Sequence, residues 1–317
     1  MPNILIAGEL HPSGLQIINQ KSKYSIDYLK EVSNENFLPY LKNADAIIIR
    51  TQTLKKNHIE KAKKLKIVSR HGVGYDNVDY HELKKRNIPL TIVGDINSTS
   101  VSEHTMMLII SVFKKIILAD FSTRNSLWNY RNNYEPRELY DKNLLIIGFG
   151  RIGKKLGKLA KAFGMNILVY DPFIEKKFNE YKIRYFQNLK TALSSADCIS
   201  LNLPKVDKPI ITKENSQYLK HGVIIINTAR GALIEEKVLL DGIQKGIISG
   251  VGLDVFDNEP IEKNHFLFKY KQVIFTPHQA GLSQEAAERM SIKSIKNILD
   301  YYDGSLDASL IVNGVKI

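Results

Sequence analysis

Short apolar runs rich in β-branched residues alternate with stretches of helical spacing along most of this chain. In the N-terminal third the runs predict strands at 3–7, 24–28, 46–49, 67–70 and 89–92, with helices between them such as 59–65 and 81–86. A second series predicts strands at 144–147, 167–170, 198–203, 223–227, 250–254 and 273–276. Runs that are apolar nearly throughout, rather than at alternate positions, belong to strands buried on both faces, and that requires parallel strands covered by crossover helices. The pattern therefore predicts an α/β fold with two doubly wound parallel sheets in succession. No internal repeat and no low-complexity tract interrupts it.

Two longer amphipathic stretches organise the halves. From 98 to 121, Val101, Thr105, Leu108, Ile109, Val112 and Ile116 recur at helical spacing behind Asn97 and Ser98, which are N-terminal signals. This predicts a helix crossing between domains. A second helix is predicted at 284–302, carrying Ala287, Met290, Ile295, Ile298 and Leu299 after the last strand. It would return the chain to the first domain, giving a discontinuous domain of 1–97 plus 285–317 and a second domain of 98–284.

Between the strand at 144–147 and an apolar helix face of Ile152, Leu156, Leu159, Ala160 and Phe163 lies Gly148-Phe-Gly-Arg-Ile-Gly153. In a strand–loop–helix unit the first such glycine permits a tight turn and the second lets backbone approach a diphosphate. The third lets helix and strand pack closely, and the helix N-terminus receives the negative charge. Asp171 ends the next strand about 20 residues further on, where a carboxylate accepts both ribose hydroxyls and repels a 2′-phosphate. The expected cofactor is NAD rather than NADP.

Composition adds bounds rather than chemistry. With 44% hydrophobic and 25% charged residues, the 317-residue chain is ordinary for a globular protein with two cores. The lone cysteine, Cys198, excludes an internal disulfide framework and reads as a small buried strand residue. No metal site is expected. The apolar run at 4–7 is too short for a leader, and no stretch approaches the roughly 18 apolar residues of a membrane span, so a cytoplasmic address without membrane contact is expected. A formal charge of +12 raises nucleic acid as a partner. The lysines are scattered, however, and no basic stretch is interleaved with stacking aromatics, so a solvated surface is expected and nucleic acid is not.

Candidate chemistry gathers after the strands of the second half. His278, in Thr276-Pro-His-Gln-Ala-Gly281, follows the last strand, and strand C-terminal ends are where open α/β sheets bind ligands. Glu259 lies in Leu253-Asp-Val-Phe-Asp-Asn-Glu-Pro260. A carboxylate bonded to one ring nitrogen fixes the tautomer and leaves the other nitrogen for substrate. Arg230, in Asn227-Thr-Ala-Arg-Gly231, also follows a strand, and its planar fork suits bidentate capture of a carboxylate.

These segments, with Arg70-His-Gly-Val-Gly-Tyr-Asp-Asn-Val-Asp79 and Ser100-Val-Ser-Glu-His-Thr105, resemble those of D-isomer-specific 2-hydroxyacid dehydrogenases, in the same order and nearly end to end. The resemblance implies a flavodoxin-like substrate domain and a Rossmann NAD domain separated by a cleft. It also implies interconversion of a D-2-hydroxy acid and its 2-oxo acid. His278 would take the C2 hydroxyl proton while hydride passes to the nicotinamide, Glu259 would tune it, and Arg230 would hold the substrate carboxylate. Cofactor contacts would come from Gly148, Gly150, Arg151, Ile152, Gly153, Asp171, Leu203, Pro204, Thr228, Ala229, Asp254 and Ala280, with Asp254 meeting the carboxamide. Val73 and Gly74 would offer backbone N–H groups to the substrate.

Departures from the family pattern are Lys205-Val-Asp-Lys-Pro209 in place of a threonine-bearing stretch, Gln279 for an apolar residue and Ser102 for alanine. Phosphoglycerate dehydrogenases and hydroxypyruvate or glyoxylate reductases look most similar. Arg50 and Arg70 would suit a second anionic group such as phosphate, or would simply pair with carboxylates at the cleft rim. The chain ends soon after the return helix, so no added regulatory domain is expected. The segment with Trp128, Tyr130 and Tyr134 corresponds to the region that joins NAD domains into a homodimer. A branch of the family serves as dinucleotide-sensing corepressors, the alternative class for this chain.

Overall fold

A computed structural model describes residues 1–174 and 183–317. In chain order its elements begin with β1 (Asn3–Ala7), α1 (Pro12–Asn19), β2 (Ser25–Leu29), α2 (Asn34–Leu41), β3 (Ala46–Ile49), α3 (Lys56–Lys61), β4 (Ile67–Arg70), α4 (Tyr80–Lys85) and β5 (Leu90–Thr91). They continue with α5 (Ser98–Lys114), α6 (Ile116–Arg124), β6 (Asn143–Ile147), α7 (Arg151–Ala162), β7 (Asn166–Tyr170), β8 (Arg184–Phe186), α8 (Leu189–Ser195) and β9 (Cys198–Leu201). The last are β10 (Val223–Asn227), α9 (Glu236–Gln244), β11 (Ile248–Leu253), β12 (Val273–Phe275) and α10 (Gln284–Tyr302). The chain divides into one compact unit of Met1–Asn97 with Leu282–Ile317 and another of Ser98–Gly281.

The first unit is a five-stranded sheet of order β2-β1-β3-β4-β5, with every strand pair parallel. This is the flavodoxin-like order, and its direction of winding reverses between β1 and β3. Alternate residues feed the two faces: Leu5, Ile47, Ile49 and Val68 pack under α2, α3 and α4. Ile4, Ile6, Ile48 and Ile67 pack with Ile295, Ile298 and Leu299 of α10. The C-terminal helix thus supplies the cover for one face of the N-terminal sheet, which is why the unit is discontinuous.

The second unit is a seven-stranded parallel sheet of order β12-β11-β10-β9-β6-β7-β8. Its winding reverses between β6 and β9, the Rossmann arrangement. One face buries Leu144, Ile146, Ile224 and Ile226 with Leu108, Ile109 and Val112 of α5. The other buries Leu145, Ile147, Ile199 and Ile225 with Leu193, Val238 and Leu239. The two parallel α/β sheets expected from the apolar runs are both present.

Details differ from the sequence pattern for identifiable reasons. The helix expected over 98–121 is interrupted at Lys115, whose φ of 53° is left-handed. Residues up to Val112 and Phe113 bury against the sheet, whereas Ile116, Ile117 and Phe121 beyond the break are 49%, 57% and 52% exposed. Phe163, expected on the buried face of α7, instead caps its C-terminus and is 48% exposed. The expected strand 198–203 stops at Leu201, and the short strand β8 was not expected. Helices α1 and α2 fill two of the expected helical intervals between strands, the latter holding Pro39 within its 8 residues.

The docking of α10 on α1 leaves no space at Gly14. A Cβ there would lie 2.1 Å from Ser291 Oγ and 2.9 Å from its carbonyl carbon. Gly14→Val is expected to destabilise the protein by about 1–3 kcal/mol, the usual cost of overpacking. Urea unfolding should show a lower midpoint with an unchanged m-value, and an unchanged midpoint would contradict this packing.

Candidate active site

The glycine-rich loop leaves β6 at the reversal point of the second sheet. Gly148 has a φ of +87°, and a Cβ on it would lie 2.7 Å from both the Asn202 carbonyl oxygen and Leu203 Cδ2. Any side chain would therefore push apart the loops that follow β6 and β9. A Cβ on Gly153 would lie 2.4 Å from the Gly148 carbonyl oxygen, so this position sets the close packing of α7 on β6. Nothing lies within 4 Å of a Cβ on Gly150. Gly150 is also the N-cap of α7, gives no side-chain cap and precedes a first turn without acidic residues. Open space in front of uncapped helix N–H groups fits a diphosphate.

Asp171, at the end of β7, accepts from Phe149 N at 2.8 Å and from Phe173 N at 2.9 Å. It therefore braces the glycine loop from the adjacent strand. Around the loop, Arg151 and Pro204 are exposed, Ile152 and Leu203 are half-buried, and Thr228, Ala229 and Ala280 are buried.

His278 and Glu259 meet. His278 Nδ1 lies 2.6 Å from Glu259 Oε2, with side chains 52% and 35% exposed. Glu259 Oε1 accepts from Phe256 N at 3.0 Å. Burial raises the carboxyl's proton affinity, but the bonds from His278 and Phe256 and the charges of His278 and Arg230 outweigh it and hold Glu259 below its ordinary range. An ionised carboxylate only accepts, so Nδ1 carries the proton and donates it, and Nε2 is presented on the opposite edge of the ring.

Arg230 reaches this pair through its neighbour. A Cβ on Gly231 would lie 2.1 Å from the Phe256 carbonyl carbon and 2.4 Å from Asp257 N, so the Arg230 turn rests directly on the Glu259 loop. Buried Asn227 pins that turn, donating to the Arg230 carbonyl at 2.8 Å and accepting from Ala229 N at 3.0 Å.

Asp254 does something the sequence did not suggest. Asp254, expected to meet the nicotinamide carboxamide, is 0% exposed and its carboxylate is bonded to the loop after β12. It accepts from Thr276 Oγ1 at 2.6 Å, Gln279 N at 2.9 Å and Ala280 N at 2.9 Å. His278 N donates to the Asp254 carbonyl at 2.9 Å. These bonds hold the loop in which His278 adopts a left-handed φ of 49°.

Helix α5 supplies further positioning residues. Because the Thr276 hydroxyl donates to Asp254, it accepts from His104 Nε2 at 3.0 Å. Burial lowers the basicity of His104, against the opposing charge of Asp254. Ser100 donates to the Ala280 carbonyl at 2.7 Å, and the Thr105 and Thr228 hydroxyls are 2.8 Å apart. The available signal was polar residues at 100, 104 and 105 on one face of an otherwise apolar helix.

In the first unit, Arg50 follows β3 and donates to the Glu9 carbonyl at 2.9 Å, while Val73 and Gly74, both half-buried, lie in the turn after β4. Cys198 is fully buried in β9, and burial pushes its thiol pKa up. Among the described residues no group of His, Cys, Asp and Glu could hold a metal ion, and no helix is long and apolar enough to cross a membrane.

A glycine loop at the reversal point of a seven-stranded Rossmann sheet, with an acid-backed imidazole after its last strand, defines a dinucleotide-binding α/β protein. Residues 106–280 match the model of the D-isomer specific 2-hydroxyacid dehydrogenase NAD binding domain. The chain is 36% identical over 306 residues to D-3-phosphoglycerate dehydrogenase of Methanocaldococcus jannaschii, covering 94% of this chain and 58% of that protein. It is 31% identical over 322 residues to glyoxylate reductase of Thermococcus litoralis, covering 98% and 96%. The solved structure of the TT0316 protein from Thermus thermophilus superposes with a TM-score of 0.89 at 25% identity, over 96% of this chain and 98% of that one. The chain belongs to the D-isomer specific 2-hydroxyacid dehydrogenase family, and its second unit is the NAD-binding domain. It spans little more than half the length, 58% and 56%, of two phosphoglycerate dehydrogenases that it matches.

The depressed Glu259 pKa has a signed consequence. Its stabilising contribution is fully present above the ordinary value of 4.5 and is lost as pH falls through the lower folded value. The stability difference between wild type and Glu259→Gln should therefore be largest above 4.5 and shrink on acidification below it. Urea midpoints measured across that range test this, and a difference that grows with acid would contradict the assignment.

Proposed function

We propose that the chain is an NAD-dependent oxidoreductase that interconverts a D-2-hydroxy acid and its 2-oxo acid. The observation that carries this reading is the 2.6 Å bond between His278 Nδ1 and Glu259 Oε2, with Arg230 seated on the same loop through Gly231. NAD held at the glycine loop would supply a hydride acceptor for C2 of the hydroxy acid, and NADH a hydride donor for the oxo acid. His278 Nε2 removes the C2 hydroxyl proton in oxidation and returns it in reduction, while Glu259 holds the ring and favours its imidazolium form. Arg230 binds the substrate carboxylate through its planar fork.

The uncapped N-terminus of α7 and open Gly150 take the diphosphate of the cofactor, and Asp171 takes the adenosine ribose. Arg151, Ile152, Leu203, Pro204, Thr228, Ala229 and Ala280 line this path, and Asp254 positions the His278 loop. Arg50, Val73 and Gly74 are the first unit's contribution to substrate binding. The similarity to a named phosphoglycerate dehydrogenase and a named glyoxylate reductase supports a small anionic substrate, with 3-phosphoglycerate, hydroxypyruvate and glyoxylate as the acids to try. The setting we propose is cytoplasmic, in keeping with a buried lone cysteine.

His278→Ala is expected to lower kcat by a factor on the order of 100 to 10,000, the range for a positioned acid–base group. NADH affinity, measured by nicotinamide fluorescence, should stay near wild type. Loss of both, or of neither, would contradict the proposed role.

We also propose that the second unit self-associates as a homodimer. Ile116, Ile117, Phe121, Leu127, Trp128 and Tyr134 on α6 and the turn after it are between 49% and 87% exposed. Apolar side chains so concentrated mark an interaction surface. Light scattering should give a dimer mass for wild type and a monomer mass for Ile117→Glu/Trp128→Glu, and a wild-type monomer would contradict this.

A further inference from the structure

The formal charge of +12 is not spread evenly over the surface. Chain order separates the lysines, but the fold of the first unit brings two groups of them together. Helices α3 and α4 cover one face of its sheet, with Ile59, Ala62 and Leu65 buried beside Leu83 and Ile88. Arg86 ties their C-terminal ends, donating to the Ile59 carbonyl and to the Ala62 carbonyl at 3.3 Å. Lys61, Lys63, Lys64 and Lys66 therefore stand near Lys84 and Lys85, and all six are exposed.

No acid balances them. Residues 61–66 and 84–86 contain none, and Glu60 is bonded to Lys56 at 3.9 Å. The acid of α4, Glu82, lies in its first turn. Asp45, which precedes β3, accepts from Asn3 N at 2.9 Å. Among the described residues none of the six lysines takes part in an ion pair. Like charges gathered within a screening length, about 10 Å at 0.1 M salt, repel one another. Part of the group has a local reason: Lys61, Lys84 and Lys85 lie in last helical turns and complement the carbonyl ends of α3 and α4. Lys63, Lys64 and Lys66 lie past the helix and have no such reason. Their concentration points to an anion that arrives from outside.

The make-up of the patch narrows that anion. No large apolar side chain is exposed among the described residues 55–66 and 80–88. Nothing there can insert into a bilayer or form the apolar centre of a protein interface. No exposed aromatic ring of Phe, Tyr or Trp offers a platform for unpaired bases. What remains is a set of compact ammonium groups, which suit the regularly spaced phosphates of a double helix.

The patch also lies away from the proposed site. It forms where β4 and β5 begin, whereas Arg50, Val73 and Gly74 follow the C-terminal ends of β3 and β4. In a parallel sheet these are opposite edges.

We propose that this face docks a nucleic-acid duplex through its phosphates, without reading its sequence. The binding is separate from the dehydrogenase reading and does not rest on it.

Fluorescence anisotropy of a labelled DNA duplex tests it in wild type, in Lys61→Glu/Lys64→Glu/Lys85→Glu and in a control, Lys213→Glu/Lys237→Glu/Lys245→Glu. The control makes the same change of net charge on exposed lysines of the second unit. Wild type should bind with a Kd on the order of 1 to 100 μM at physiological salt, weakening with salt by about 0.9 log units per log unit for each phosphate contacted. The patch variant should bind at least about 10-fold more weakly, and the control less than about 3-fold. Equal losses in the two variants, or a wild type that does not bind, would overturn the proposal. Capture by phosphatidylserine vesicles without duplex binding would overturn it too.

A second readout needs no variant. Lysine acetylation of wild type, mapped by mass spectrometry, should be suppressed by the duplex at the six patch lysines and unchanged at Lys213, Lys237 and Lys245. Protection elsewhere instead, or none, would overturn the assignment to this face.

Discussion

The buried carboxylate of Asp254 is the constraint from which the arrangement at the end of the second sheet follows. Removing a carboxylate from water costs several kcal/mol unless its lone pairs are filled. Here a threonine hydroxyl and two backbone N–H groups fill them at 2.6–2.9 Å. Those donors all come from the loop that carries His278, so satisfying the acid also fixes the loop. The left-handed backbone at His278, a conformation that costs a non-glycine residue about 1–3 kcal/mol, is held in place by the same bonds.

Other parts of that unit repeat the device on a smaller scale. Asn227 pins the Arg230 turn with one amide, and Asp171 pins the glycine loop through Phe149 N. In each case a polar side chain at a strand terminus bonds backbone just beyond its own strand or the adjacent one, which turns an irregular segment into a rigid one. His278 and Glu259, by contrast, are left half-exposed. Rigidity comes from buried neighbours, while the groups offered to ligand keep an open edge.

Much of this was legible along the chain. Continuous apolar runs announce parallel strands because both faces must be buried, and the spacing of Gly148, Gly150 and Gly153 announces a diphosphate loop because each glycine answers a separate steric demand. The return helix was legible for the same reason: a long apolar face after the last strand of one sheet needs another surface to cover. The kink at Lys115 was not legible, because the apolar spacing continues through Ile116 while the surface it would pack on does not. Nor were the tasks of Ser100, His104 and Thr105, whose partners lie more than a hundred residues away in sequence.

The sequence by itself determined fold class, the dinucleotide loop and the identities of the imidazole, carboxylate and guanidinium groups, since these rest on local spacing and on residue chemistry that no context changes. Only the tertiary structure decided which groups meet. It set the 2.6 Å geometry of the expected His278–Glu259 pair and made buried Asp254 the brace of the loop that carries His278. The physical reason is that hydrogen-bond partners and burial are properties of neighbours in space, and parallel sheets bring together strand ends that are far apart along the chain.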